Sequence, residues 1–209
     1  MSIWERLRPV LWAICCLPFL RWCYLYASGG LGDDPGLWMM ESSGQTAFVM
    51  LCLTLCVTPL RQLFAVPGIM VWRRVLGLMT FFYAFCHFSV WAGAERKFSF
   101  ALMGQGIVER PTIVLGILSF LMLIALALTS NQSMIRKLGR RWQKLHRLVY
   151  VVAVLVSLHF IGMQREDESA THAYIGAAVI AALLMWRVIA SIRQKQAIAK
   201  KLSSISPVR

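Results

Sequence analysis

Four histidines, His87, His146, His159 and His172, are the side chains of this chain best suited to chemistry. Two of them stand in stretches without a single charged residue, FFYAFCHFSVWAG around His87 and VLVSLHFIGM around His159. A neutral imidazole in apolar surroundings has two uses. It can hydrogen-bond a neighbouring helix and do nothing else, or it can offer its bare nitrogen to a metal. The depth and partners of each ring separate these uses, so the elements that carry the rings come next.

Of the 209 residues, 58% are hydrophobic and only 15% charged, and the mean hydropathy is +0.64. No soluble domain of this length has a core able to hide that much apolar surface, so the bilayer is its solvent. Six apolar segments lie at about 10–27, 42–60, 75–94, 111–130, 146–164 and 172–190. Each approaches the roughly 20 residues that cross a hydrocarbon core as a helix. The expected fold is an all-α integral membrane protein, one six-helix transmembrane domain over residues 1–209. The first segment, split by Pro18 and Arg21, reads as a span and not as a cleaved signal peptide. All six cysteines fall in the first three spans without a CxxC pair, which fits small apolar packing residues better than a haem-thiolate or redox role.

The formal charge of +13 would suggest nucleic acid in a soluble protein; here the charges sit in loops between spans and report topology instead. With the N-terminus inside, every Lys and Arg falls on the inner side except Arg21, Arg96, Lys97, Arg110 and Arg165. The acidic residues do the reverse: only Glu5 is inside. The asymmetry places both termini in the cytoplasm. The basic inner loops suit anionic lipid headgroups, a flavin phosphate or an anionic electron donor alike.

Depth can now be compared. His87 lies 13 residues beyond Arg74 at the inner end of the third span, and His159 lies 12 beyond Arg147 at the inner end of the fifth. Both spans run outward, so at about 1.5 Å per residue both rings sit roughly 18 to 20 Å from the inner boundary. Two imidazoles at equal depth on parallel helices suit the axial positions of a haem iron, with the porphyrin among apolar side chains. His146 lies at the inner surface, about 20 Å below His159 along the helix. A second, inner haem would find Arg73 and Arg74, not histidine, on the third span. On a straight helix, His146 and His159 would also face directions about 140° apart. His146 therefore reads as the single imidazole of an inner haem, a contact to a propionate or flavin phosphate, or a structural residue. His172 opens the sixth span at the outer surface and reads as an interfacial residue, with substitute ligation or proton traffic as its alternative.

Several chemistries have no residues to carry them. GxGxxG and Walker loops are absent, as are HExxH and GxSxG. No acidic residue lies mid-membrane, which disfavours an ion-coupled transporter.

The segment RPTIVLGILSFLMLIALALTSNQSMIRKLGRRWQKLHRLVY (110–150), the outer turn GGLGDDPG, the second-span exit TPLR and the third-span entry RRVLGL resemble the MsrQ family, also called YedZ. That family lies in the ferric-reductase-like transmembrane group, related to the membrane core of NADPH oxidases. The resemblance covers nearly the whole chain. It implies b-type haem, one or two, held by histidines that fall here on His87, His159 and His146, and FMN at residues that no motif places. It implies electron transfer in the bacterial inner membrane, from quinol or a cytosolic flavin reductase to a periplasmic molybdopterin-containing reductase. That partner reduces methionine sulfoxide in oxidised proteins, so this chain breaks no bond of the sulfoxide itself. Membrane lipid is a further partner and nucleic acid is not expected. The alternatives are a di-haem quinol oxidoreductase subunit of cytochrome b type and a haem-free membrane scaffold or carrier.

Overall fold

The structure, a computed structural model, describes residues 3–164 and 171–205; the segment REDESA, with Arg165, Glu166, Asp167 and Glu168, which the sequence reading counts on the outer side, lies outside the described residues. Every regular element among the described residues is helical. In chain order they are α1 (Ile3–Arg6), α2 (Arg8–Ala27), α3 (Pro35–Leu63), α4 (Met70–Val90), α5 (Phe100–Glu109), α6 (Thr112–Leu128), α7 (Gln132–Leu138), α8 (Arg140–His146), α9 (Leu148–Gly162) and α10 (Thr171–Ile205). Among the described residues, five helical stretches are long and apolar enough to cross a membrane: Arg8–Ala27, Pro35–Leu63, Pro67–Glu95, Arg140–Gly162 and Thr171–Lys200. A sixth is reached if α6 counts together with α7, which turns away from it by 95°.

Local chemistry sets these boundaries. At the start of α3, Asp34 accepts a hydrogen bond from the Leu37 amide at 2.9 Å, and Pro35 fills a first-turn position whose N–H has no helical partner. The bend after α6 follows from Asn131, whose side chain caps α7 through the Met134 amide at 2.8 Å. Gly139, with φ of 51°, then ends α7 in a conformation that costs glycine nothing. α4 runs on into a wide π-turn at Trp91–Glu95. Two elements differ from the sequence expectation. The connection AERKFSFALMGQGIVER contains helix α5, and the basic run before the fifth span is a short helix of its own, α8, set off from α9 at Arg147.

The helices pack through two apolar clusters. Trp22, Val57, Val75, Met79 and Tyr83 join α2, α3 and α4; Phe48, Leu51, Leu123, Val152 and Ile180 join α3, α6, α9 and α10. Lipid is as apolar as these side chains, so close packing and hydrogen bonds hold the bundle more than solvent exclusion does. Tyr83, fully buried, donates its hydroxyl to the Cys15 carbonyl at 2.5 Å, and Trp22 donates to Ser42 at 2.9 Å. Thr54 and Thr80 lie 3.4 Å apart between α3 and α4 while each bonds back to its own helix. Arg187 of α10 donates to Thr58 at 3.1 Å and lies over the Tyr150 ring at 4.7 Å. Side chains such as Leu20, Val154, Leu158 and Ile175 face outward. That is the surface a lipid solvent permits.

Candidate functional site

α3 packs against α4, and α6 against α9. Each pair brings one histidine toward the middle of the bundle, and the two rings meet: the centres of His87 and His159 are 6.4 Å apart, with their planes crossed at 79°. Both rings are half-buried.

Each ring is held in the same way. His87 Nδ1 donates to the Met40 carbonyl at 2.9 Å, and His159 Nδ1 donates to the Thr112 carbonyl at 2.9 Å. A carbonyl can only accept, so the proton sits on Nδ1 and the ring's other nitrogen, Nε2, keeps its lone pair. A backbone carbonyl behind Nδ1 is the usual way of fixing the tautomer and orientation of a metal-bound imidazole. Each ring also lies against a glycine one turn after its carbonyl. A Cβ on Gly44 would stand 3.0 Å from His87 Nδ1, and one on Gly116 would stand 2.9 Å from His159 Cε1. Aromatic rings crowd the same level: Phe48 against Phe160 at 5.3 Å, and Phe88 against Phe120 at 4.8 Å.

The spacing can be tested against a metal. Two nitrogen–metal bonds of about 2.0 Å, each extended by the radius of an imidazole ring, put the ring centres roughly 6 Å apart. The observed 6.4 Å matches. Among the described residues there is no cluster of three or more His, Cys, Asp or Glu side chains. Two imidazoles without further protein donors suit a metal that brings equatorial donors of its own, and a haem iron is such a metal. The residues present fit the group.

The other candidates lie apart. His146 ends α8; its ring stacks on Trp142 with centres 4.0 Å apart, and its Nε2 is 3.1 Å from the Thr129 hydroxyl. Arg147, with helical backbone angles, separates α8 from α9 within the one helical stretch Arg140–Gly162. His172 is exposed near the start of α10. Arg74, near the start of α4, keeps a buried Nε with no hydrogen-bond partner. The six cysteines are free thiols; Cys15 is buried in the α2–α4 cluster and Cys23 is exposed.

Sequence reasoning missed the residues that aim the rings: Met40 and Gly44 for His87, Thr112 and Gly116 for His159. A signal for them exists. The pattern G-x-x-x-F-x-M-L at 44–51 recurs at 116–123, in each case 43 residues before a His-Phe pair.

The model of the family described as ferric reductase like transmembrane component matches residues 43–157. A protein of Bordetella pertussis is 40% identical over 92% of this chain and 93% of its own length, and it is named protein-methionine-sulfoxide reductase heme-binding subunit MsrQ. Proteins of the same name from Ralstonia nicotianae and Brucella anthropi are 42% and 39% identical, over 88% and 86% of this chain and 85% and 80% of their own. No solved structure matches. With several apolar helices and relatives matched almost end to end, this is a multi-pass membrane protein, and the chain belongs to the MsrQ family of ferric-reductase-like transmembrane components.

Proposed function

We propose that this chain is a haem b electron-transfer subunit of a methionine sulfoxide reductase system in the bacterial inner membrane. It passes electrons from quinol or a cytosolic flavin reductase to a periplasmic molybdopterin-containing reductase that repairs oxidised proteins. The observation that carries the proposal is the 6.4 Å pairing of His87 and His159, each with Nδ1 committed to a carbonyl. The relatives named as heme-binding subunits support it.

His87 and His159 would hold the haem iron through the Nε2 nitrogens that their carbonyl partners leave free. The bound haem supplies a one-electron carrier; the chain supplies ligand identity, orientation and a dry environment. Met40 and Thr112 hold the imidazole tautomers through their carbonyls. The Phe48–Phe160 and Phe88–Phe120 pairs line the level of the rings and exclude water from it. The topology we propose is six spans over residues 1–209, α6 with α7 forming the fourth and both termini cytoplasmic, as the basic inner loops require. Those loops face anionic lipid and the electron donor. FMN, which the family resemblance attaches to the chain, is given no residues in this proposal.

A second reading adds an inner haem on His146. The observations favouring it are the half-buried His146 ring, and Arg74 near the start of α4 with a buried Nε that has no partner. The haem-to-chain ratio of the purified protein, close to one or close to two, decides between the readings.

The test of the function is an oxidised-minus-reduced visible spectrum of the detergent-purified chain, with and without quinol. The proposal expects the sharp bands of a six-coordinate b haem, reducible in detergent. Colourless protein after expression with ample haem would favour the scaffold or carrier reading.

A further inference from the structure

We propose that the centre of the fold is one helical hairpin used twice, closed by a twofold axis between His87 and His159, and that Gly44 and Gly116 are the positioning residues that set both imidazole planes. The functional part of this inference rests on the haem reading above; the geometric part does not.

The correspondence is a constant offset of 72 residues, which carries Met40 to Thr112, Gly44 to Gly116, Phe48 to Phe120, His87 to His159 and Phe88 to Phe160. Four of these five pairs are identical in residue type, and Met50 and Leu51 likewise recur as Met122 and Leu123. The contacts recur with the residues. In each half a histidine bonds the carbonyl 47 residues earlier, at 2.9 Å. In each half the glycine one turn beyond that carbonyl lies under the same ring.

Contacts between the halves identify the operation. Phe48 of the first half meets Phe160 of the second, and Phe120 of the second meets Phe88 of the first. The offset turns one of these contacts into the other with the halves exchanged. A simple translation would carry Phe160 past the end of the chain; only a twofold returns it to Phe88. The axis therefore passes midway between the two histidines, where a shared metal would sit. The correspondence ends at the inner level, since the offset pairs His146 with Arg74. The inner level is thus the asymmetric one.

Symmetry gives the glycines their role. Glycine inside a helix costs about 1 kcal/mol relative to alanine, so its use at both 44 and 116 calls for a packing reason. That reason is the ring: an added methyl would stand 3.0 Å from His87 or 2.9 Å from His159, closer than side chains pack. Removing the side chain lets the imidazole lie flat against the backbone of the partner helix, with the carbonyl fixing its rotation. A twofold then turns a ring inclined to the axis into one inclined equally the other way, which gives the 79° crossing. Crossed axial imidazoles act on different iron d orbitals. They give a highly anisotropic low-spin ferric resonance, whereas parallel rings give a rhombic one.

The test is electron paramagnetic resonance of the oxidised, full-length protein in detergent. Wild type is compared with Gly44→Ala, Gly116→Ala and the control Gly77→Ala, whose new methyl would lie 3.8 Å from Thr54. The expected result is a highly anisotropic low-spin signal in wild type and Gly77→Ala, and near-complete loss of it in both other variants. The signal is replaced by a rhombic or high-spin one, with helical content unchanged by circular dichroism. Should one glycine variant fail to yield folded protein, the other carries the test. Retention of the wild-type signal in a folded Gly44→Ala or Gly116→Ala variant would overturn the inference, and so would a rhombic wild-type signal. These outcomes differ from failure of the haem reading, in which His87→Ala and His159→Ala would leave haem content unchanged.

Discussion

Tyr83 lies one helical turn before His87 and is the fully buried pin between α4 and α2, and replacing it separates packing from hydrogen bonding. Its ring meets Trp22 edge-on at 5.2 Å, and its hydroxyl donates to the Cys15 carbonyl. Tyr83→Phe keeps the ring and removes one hydrogen bond. Within membrane bundles such a bond averages about 0.6 kcal/mol. The Cys15 carbonyl lies inside α2, where the helical ladder offers it a second partner, so the cost should stay under about 1.5 kcal/mol. Tyr83→Ala removes the ring as well and opens a cavity among Trp22, Val75 and Met79, a loss of about 3–5 kcal/mol. Since 1.4 kcal/mol is a factor of about ten, the unfolding equilibrium should move roughly threefold for Phe and more than a hundredfold for Ala. Titration of the detergent-solubilised protein with sodium dodecyl sulfate, followed by helical ellipticity, measures both. Equal losses in the two variants would refute the packing argument, because the hydroxyl alone would then hold the helices together.

Other parts of the bundle can be tested in the same way. Arg187→Leu removes the Thr58 hydrogen bond and the contact over Tyr150, and should cost about 1–2 kcal/mol in the same titration. Gly176→Ala would place a methyl 2.7 Å from Phe48 and should cost about 1–3 kcal/mol by overpacking; no change would mean that α10 stands further from α3. A green fluorescent protein fused after Arg209 should fluoresce, and an alkaline phosphatase fused there should be inactive, since the positive charges keep that end inside. Active phosphatase would reverse the topology.

The shared level of His87 and His159 could be read without coordinates because rise per residue is constant and charged residues mark where each span begins. Arg74 and Arg147 gave His87 and His159 the same depth, and the structure sets their rings 6.4 Å apart. Direction is another matter. Which way a ring points depends on the phase between packed helices, and that phase is set by Gly44, Gly116 and two carbonyls on other helices. The break at Arg147 carries no proline or glycine, so no residue type marks where α8 gives way to α9. α5 had a readable start: Ser99 accepts from the Leu102 amide at 3.4 Å, an N-cap signal in a stretch taken only as a loop. Its Phe100 is 90% exposed, so burial could not have betrayed it. The repeated G-x-x-x-F-x-M-L was legible in principle but falls at an offset far beyond the 20–50 residue periods at which repeats are usually sought.

The central claim is that His87 and His159 hold one iron between them, and haem content per chain tests it most directly. Soret absorbance of purified wild type, His87→Ala, His159→Ala and His172→Ala should fall by most of its value in the first two variants and stay unchanged in the third. Wild-type haem content in both His87→Ala and His159→Ala would contradict the account.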